Sequence, residues 1–252
     1  MVERDSVSDG GGRSSPDPPP RRRMNLTRLP AAVLFDMDGL LVETEHLWYG
    51  AELEVMAHLG GSWGPEQQED LVGGPLERAV DLMLEHAEVQ HDPTEVMTML
   101  LTAMERRLRT EPVHWRPGAP ELLAALEDAE VPVALVSASY RNIVDAVHDA
   151  VLHEVGHEMF AVTVAGDDLE RTKPFPDPYL YAAEAIGVDP RHCIVLEDSH
   201  TGSQAGMGAG ALVVAVPSLV PIEPAEGLRV IETLVGVTPE QLGVWSYAWC
   251  PR

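Results

Sequence analysis

Two aspartates one residue apart, Asp36 and Asp38, stand at the end of an apolar run, Ala31-Ala32-Val33-Leu34-Phe35, and Gly39 follows them. Carboxylates at the end of a buried segment are costly unless something cationic holds them. The chemistry that such a pair supports is metal-assisted phosphoryl transfer with Asp36 as the nucleophile. The run in front of them is apolar on both faces and too short for a helix, so it reads as a buried strand. In an open parallel α/β sheet, ligands bind at the C-terminal ends of the strands, which is where this pair falls.

Whole-chain properties narrow the classes. The 252 residues are 45% hydrophobic and 23% charged, an ordinary globular composition with room for one domain and an insertion. The formal charge of −24 repels nucleic acid and anionic membranes, so neither is expected as a partner. It also repels phosphate esters, and an enzyme acting on them needs local positive charge from a metal, a lysine or backbone N–H groups. The two cysteines, Cys193 and Cys250, lie in no metal-ligand spacing and read as free thiols of a reducing compartment. No apolar run approaches the ~20 residues that span a bilayer, and Arg21-Arg22-Arg23 is followed by polar sequence and not by a signal-peptide core. The expected location is cytoplasmic.

Residues 1–29, rich in Ser, Gly, Pro and arginine, have no period of 2 or 3.6 and are expected to be a disordered tail, or sequence upstream of a start at Met24. Helical spacing covers Glu45–Leu59, a short Pro65–Leu71, Pro75–Ala87 and Pro93–Arg109, with a break at Gly73-Gly74-Pro75. A purely helical block of this length after a first strand reads as a small inserted domain. From Trp115 strands and helices alternate. Strands are expected at Val131–Val136, Phe160–Val164, Cys193–Leu196 and Ala211–Val216; helices are expected at Pro117–Ala129, Asn142–Val151, Pro178–Ile186 and Ser203–Gly210. That alternation predicts a doubly wound parallel sheet. The expected division is a core of 30–45 and 113–220, helical residues 46–112, and a C-terminal extension 221–252. Residues 217–252 are less regular, with a last short helix opened by Thr238-Pro239-Glu240-Gln241.

Each strand end carries a different polar group: Asp36 and Asp38, then Ser137, then Glu197 and Asp198. Lys173, in Arg171-Thr172-Lys173-Pro174, is the only lysine in the chain; every other Lys or Arg position is arginine. A compact ammonium fits between a carboxylate and a phosphoryl oxygen where a planar guanidinium does not.

Together these segments resemble the haloacid dehalogenase-like (HAD) superfamily, subfamily I, near the β-phosphoglucomutase-like phosphatases. The resemblance is carried by DMDGLLVETE at Asp36–Glu45, VSAS at Val136–Ser139, TKPFPDPYL at Thr172–Leu180 and LEDSHTG at Leu196–Gly202, and it covers about Ala31–Val216. It implies a Rossmann-like doubly wound α/β core with an inserted all-helical cap domain, and a Mg²⁺-dependent phosphatase of small phosphorylated metabolites, of sugar or polyol type. By resemblance, Asp36 attacks phosphorus to form an aspartyl-phosphate, and Asp38 acts as general acid and then general base. Gly39 permits the tight turn that brings both carboxylates to one point. Mg²⁺ is held by the Asp36 carboxylate, the Asp38 backbone carbonyl and the Asp198 carboxylate, with Glu197 behind them. Ser137 and the backbone N–H of Ala138 grip the phosphoryl group with Ser139 beside them, Lys173 neutralises nucleophile and phosphate together, and Gly74 and Arg78 face the substrate from the cap.

Asp38 argues against a dehalogenase, and the absence of lysine from residues 46–112 argues against a phosphonatase. Against a phosphomutase, Trp48 stands where the β-phosphoglucomutases carry a histidine, and Arg78 is the one basic residue near the Gly73-Gly74 loop. Glu43 replaces the family's usual aspartate. The mutase stays open as an alternative, as does a non-catalytic protein that binds a phosphometabolite. The ten histidines show no metal-binding spacing.

Overall fold

The computed structural model describes residues 29–69, 71, 76–112, 114–218 and 220–249. The expected tail before Leu29, Met24, Gly74 and Cys250 lie outside the described residues. Six parallel strands form one sheet in the order β3-β2-β1-β4-β5-β6: β1 (Ala32–Phe35), β2 (Val133–Val136), β3 (Val162–Val164), β4 (Cys193–Glu197), β5 (Leu212–Ala215) and β6 (Leu228–Val230). β1 is central. The chain builds outward from it through β2 and β3, then returns to lay β4 on its other side, so the winding reverses between β1 and β4. At such a switch point the flanking connections diverge and leave a crevice at the strand C-termini. Val33 pairs with Val133 on one side and with Ile194 on the other.

Alternation along β1 sends Val33 and Phe35 to one face and Ala32 and Leu34 to the other, all fully buried. The first face packs under α5 (Ala119–Asp128), α6 (Arg141–Val155) and α9 (Pro239–Trp249); the second packs under α7 (Asp177–Ile186) and α8 (His200–Gly208). Between β1 and α5 every element among the described residues is a helix: α1 (Glu45–Leu59), α2 (Pro65–Glu69), α3 (Leu76–His86) and α4 (Pro93–Thr110). Met56, Met83, Leu100 and Met104 are buried there, and this apolar cluster runs on into that of the sheet's first face. α4 also lies along α6, where Arg109 Nη1 donates to Asp149 at 2.8 Å and Asn142 Nδ2 donates to Glu105 at 3.1 Å.

Local signals explain the element ends. Asp92 accepts from the Thr94 N–H at 2.8 Å, with Pro93 in the first turn of α4. Gly187 closes α7 at φ 84°, as a C-terminal glycine does. Two expectations need correction. α8 begins three residues before Ser203, because the Ser199 hydroxyl accepts the Gly202 N–H at 3.1 Å and caps the helix from there. The stretch after Val216 also holds β6, a three-residue strand with Leu228 buried, Arg229 exposed and Val230 half-buried. That mixed pattern hides an edge strand from periodicity.

Candidate active site

Asp36 follows the last residue of β1 and is 7% exposed. Its N–H donates to the Leu196 carbonyl at 2.9 Å, which continues the β1–β4 ladder to the crevice. The turn after it needs Gly39: φ is +81°, and a Cβ there would collide with Asp198 Oδ2. Val42, beyond the turn, bridges to Trp115, so the two links between the helical segment and the sheet run side by side.

Lys173 reaches this point from the β3–α7 connection. Its Nζ donates to Asp36 Oδ1 at 2.5 Å, to Glu197 Oε1 at 2.6 Å and to the Val136 carbonyl at 2.9 Å, and it lies 5.0 Å from the centre of the Tyr179 ring. Burial opposes the ammonium's charge, but the Asp36 and Glu197 carboxylates outweigh it and hold Lys173 well above the usual lysine range. Glu197 is fully buried at the end of β4. Its Oε1 also accepts the Tyr179 hydroxyl at 2.7 Å, while Oε2 accepts the N–H groups of Asp198 and Ser199 and the Ser199 hydroxyl. Gly202 is required behind it, because a Cβ there would strike the Glu197 carboxylate.

The carboxylates of Asp36, Glu197 and Asp198 converge, with one oxygen of each within 4.8 Å of the others. Burial, then the Glu197 charge, pushes the Asp36 carboxyl well above the usual range in spite of Lys173. The same two causes push Asp198 up to about 7, against the pull of the Ser218 hydroxyl, which donates to its Oδ2 at 2.5 Å. Counted as ionised, three carboxylates against one ammonium carry a formal charge of −2. An all-oxygen, doubly negative donor set fits a hard divalent cation such as Mg²⁺. Glu197 is engaged by protein donors at both oxygens, which leaves Asp36 and Asp198 to face such an ion.

Asp38 is turned to a different neighbourhood. Thr44 Oγ1 donates to its Oδ1 at 2.6 Å, and the hydroxyls of Ser137 and Ser139 donate to Oδ2 at 3.3 and 2.9 Å. Ser137, at the end of β2, is 1% exposed and accepts the Ser139 N–H at 2.9 Å. Ala138 stands exposed between them. Asp36, Asp38, Gly39, Ser137, Ser139, Lys173, Glu197 and Asp198 are thus brought to one crevice. Arg78 is exposed on α3 and has no polar partner among the described residues.

Thr44, Tyr179 and Ser218 were not singled out by the sequence reading. Thr44 and Tyr179 lie inside the quoted motifs, and their polar atoms at fixed offsets from Asp38 and Lys173 were available signals. Ser218 lies beyond β5 in irregular sequence, and nothing local marks it. Glu43, the departure from the family pattern, accepts from Arg116 at 2.7 Å across the two links.

Comparison with known proteins agrees with this geometry. The family profile described as haloacid dehalogenase-like hydrolase matches residues 33–216. A probable pseudouridine-5'-phosphatase of Drosophila melanogaster is 31% identical over 221 residues, 85% of this chain and 94% of its own length. Hexitol phosphatase B of Escherichia coli is 31% identical over 196 residues, 77% and 87% of the two chains. A bifunctional riboflavin kinase/FMN phosphatase of Arabidopsis thaliana is 32% identical over 77% of this chain, which spans only 50% of that relative. Among solved structures, CbbY from Rhodobacter sphaeroides in complex with phosphate aligns with a TM-score of 0.72 and 27% identity, covering 82% of this chain and 96% of that one. With the profile matched from β1 to the end of β5 and the four strand-end motifs converging in space, this chain belongs to the haloacid dehalogenase-like hydrolase family.

Proposed function

We propose that the protein is a Mg²⁺-dependent phosphatase that hydrolyses a small phosphorylated metabolite, of sugar or polyol type, through an aspartyl-phosphate on Asp36. The observation that carries this reading is the pairing of a buried, doubly negative Asp36–Lys173–Glu197–Asp198 cluster with a second aspartate held apart from it by hydroxyls. The pseudouridine-5'-phosphatase and hexitol phosphatase relatives support the substrate class.

Asp36, fixed through Oδ1 by Lys173, attacks phosphorus. The ester P–O bond breaks as Asp38, in its acid form, gives its proton to the leaving oxygen. Asp38, now a carboxylate, takes a proton from water, whose oxygen attacks the same phosphorus. The bond to Asp36 breaks, which restores the Asp36 carboxylate and the Asp38 acid and releases inorganic phosphate. Ser137 and the Ala138 N–H take phosphoryl oxygens, and Lys173 balances the charge of nucleophile and phosphate. When bound by the carboxylates of Asp36 and Asp198 and by the Asp38 carbonyl, Mg²⁺ supplies the positive charge that this donor set lacks. Residues 46–112 act as a cap that excludes bulk water, with Arg78 on its substrate side. The expected setting is cytoplasmic; no described helix is long and apolar enough to cross a membrane.

Hydrolysis of an aryl phosphate with Mg²⁺, with and without EDTA, tests the reading. Turnover that Asp36→Asn leaves unchanged sinks the mechanism. Conversion of β-glucose 1-phosphate to glucose 6-phosphate with a bisphosphate primer, with little free phosphate, would establish the mutase instead.

A further inference from the structure

The phosphatase reading leaves open what the phosphate is attached to, and the distribution of charge around the crevice bears on it. Between Glu45 and His86 the chain carries nine acidic residues and a single Lys or Arg, Arg78. Cations elsewhere are already committed. Lys173 has three acceptors. Arg116 is bound to Glu43 and Arg141 to Asp145 and Asp168. Arg106, Arg107 and Arg109 are held by acids on α1, α4 and α6. Among the described residues, Arg78 alone has neither an acidic nor an aromatic partner.

Two of the nine acids lie beside segments that carry site residues, Glu45 after the Asp38 loop and Glu77 against the segment after β2. Glu45 directly follows Thr44, the donor to Asp38 Oδ1. It is half-buried, and no donor among the described residues reaches its carboxylate. Burial, then the charges of Asp38, Glu52 and Glu43, raise its pKa. Glu77, in the first turn of α3, accepts the Tyr140 hydroxyl at 3.1 Å, one residue beyond Ser139. Glu45 and Glu77 thus bring carboxylates from α1 and α3 beside the segments that carry Asp38 and Ser139. A second phosphate or a carboxylate on the substrate enters a negative field that one exposed arginine has to offset. Hydroxyl groups, in contrast, find in Glu45 an acceptor that no donor among the described residues reaches.

We infer that the site selects monoesters whose leaving group is hydroxyl-rich and carries no second anionic group, and that Glu45 and Glu77 enforce this selection. Deterring an anionic competitor by like charge gives specificity without any new attractive contact.

A matched pair of esters tests this: glucitol 6-phosphate against 6-phosphogluconate, which share a carbon skeleton but differ by one carboxylate. The expected ratio of kcat/KM is about 100-fold in favour of the polyol. Glu45→Gln and Glu77→Gln should each narrow the ratio by raising the value for 6-phosphogluconate, and added salt should do the same more weakly. Equal kcat/KM for the two esters overturns the inference. So does a ratio that both glutamine variants leave intact, or a loss of 6-phosphogluconate turnover confined to Arg78→Ala. If neither these esters nor an aryl phosphate is turned over, the phosphatase reading fails by itself. Selectivity is then decided on Asp36→Asn with Mg²⁺: a shift of the thermal midpoint by the polyol ester alone supports it, and an equal shift by both refutes it.

Discussion

The two aspartates that open the chain's main motif face opposite kinds of surroundings. Around Asp36 the partners are charged and buried: an ammonium 2.5 Å away, with the carboxylates of Glu197 and Asp198 close by. Around Asp38, two residues later, they are neutral hydroxyls from Thr44, Ser137 and Ser139. The difference matches the division of labour in the proposed mechanism. A nucleophile that stays anionic needs fixed charge to hold it, and low dielectric makes that charge strong. A group that gains and loses a proton in each cycle is better served by hydroxyls, which can donate to its carboxylate or accept from its acid.

The comparison breaks most directly at Asp36. Asp36→Asn removes the attacking oxygen and is expected to lower kcat by at least ~10⁴-fold with the fold intact; rapid-quench capture of a labelled aspartyl-phosphate should fail in this variant. Lys173→Met strikes the same side through stability. It leaves Asp36 and Glu197 without their ammonium, at an expected cost of about 3–5 kcal/mol by denaturant titration. A loss below ~1 kcal/mol would show that the ammonium does not hold the cluster. On the hydroxyl side, Asp38→Asn should cost ~10²–10⁴-fold in kcat, yet leave Mg²⁺ affinity by calorimetry close to the parent value.

Smaller effects sharpen the contrast. Ser218→Ala frees Asp198 Oδ2 and is expected to raise the Mg²⁺ concentration for half-binding by about tenfold, read by calorimetry and by half-maximal activation. The least effect belongs to Glu52, a carboxylate 5% exposed inside α1 whose hydrogen-bond donor is the Trp63 indole at 3.1 Å. Burial raises its pKa, opposed by that indole. Its folded form thus holds the proton more tightly than the unfolded chain, and stability is lost as pH rises above the ordinary glutamate range. Glu52→Gln should therefore raise the thermal midpoint at pH 7, with the gain fading as pH falls towards 4. A gain independent of pH would mean that charge burial is not the cause.

The sequence by itself determined five of the six strands and the polar groups that stand at the ends of three of them. Asp36, Ser137 and Glu197 each follow or close a short apolar run, and both signals are local, because burial and β-former content are written within a few residues. The single lysine was equally legible, as an exception in a composition that otherwise uses arginine. Helix limits such as Glu45–Leu59 followed from periodicity and a terminal glycine, whereas α8 was displaced by the Ser199 cap and β6 went unseen at the sheet's edge. Only the tertiary structure decided who meets whom. Lys173 lies 137 residues from Asp36 and Ser218 lies 20 from Asp198, and no spacing rule relates them. The reversal of winding between β1 and β4 sets Lys173 and Asp36 at one crevice, and the pairing of β5 with β4 brings Ser218 to Asp198. Topology is set by the packing of whole faces, which no single segment records, and so the partners of each carboxylate became visible only once the sheet was assembled.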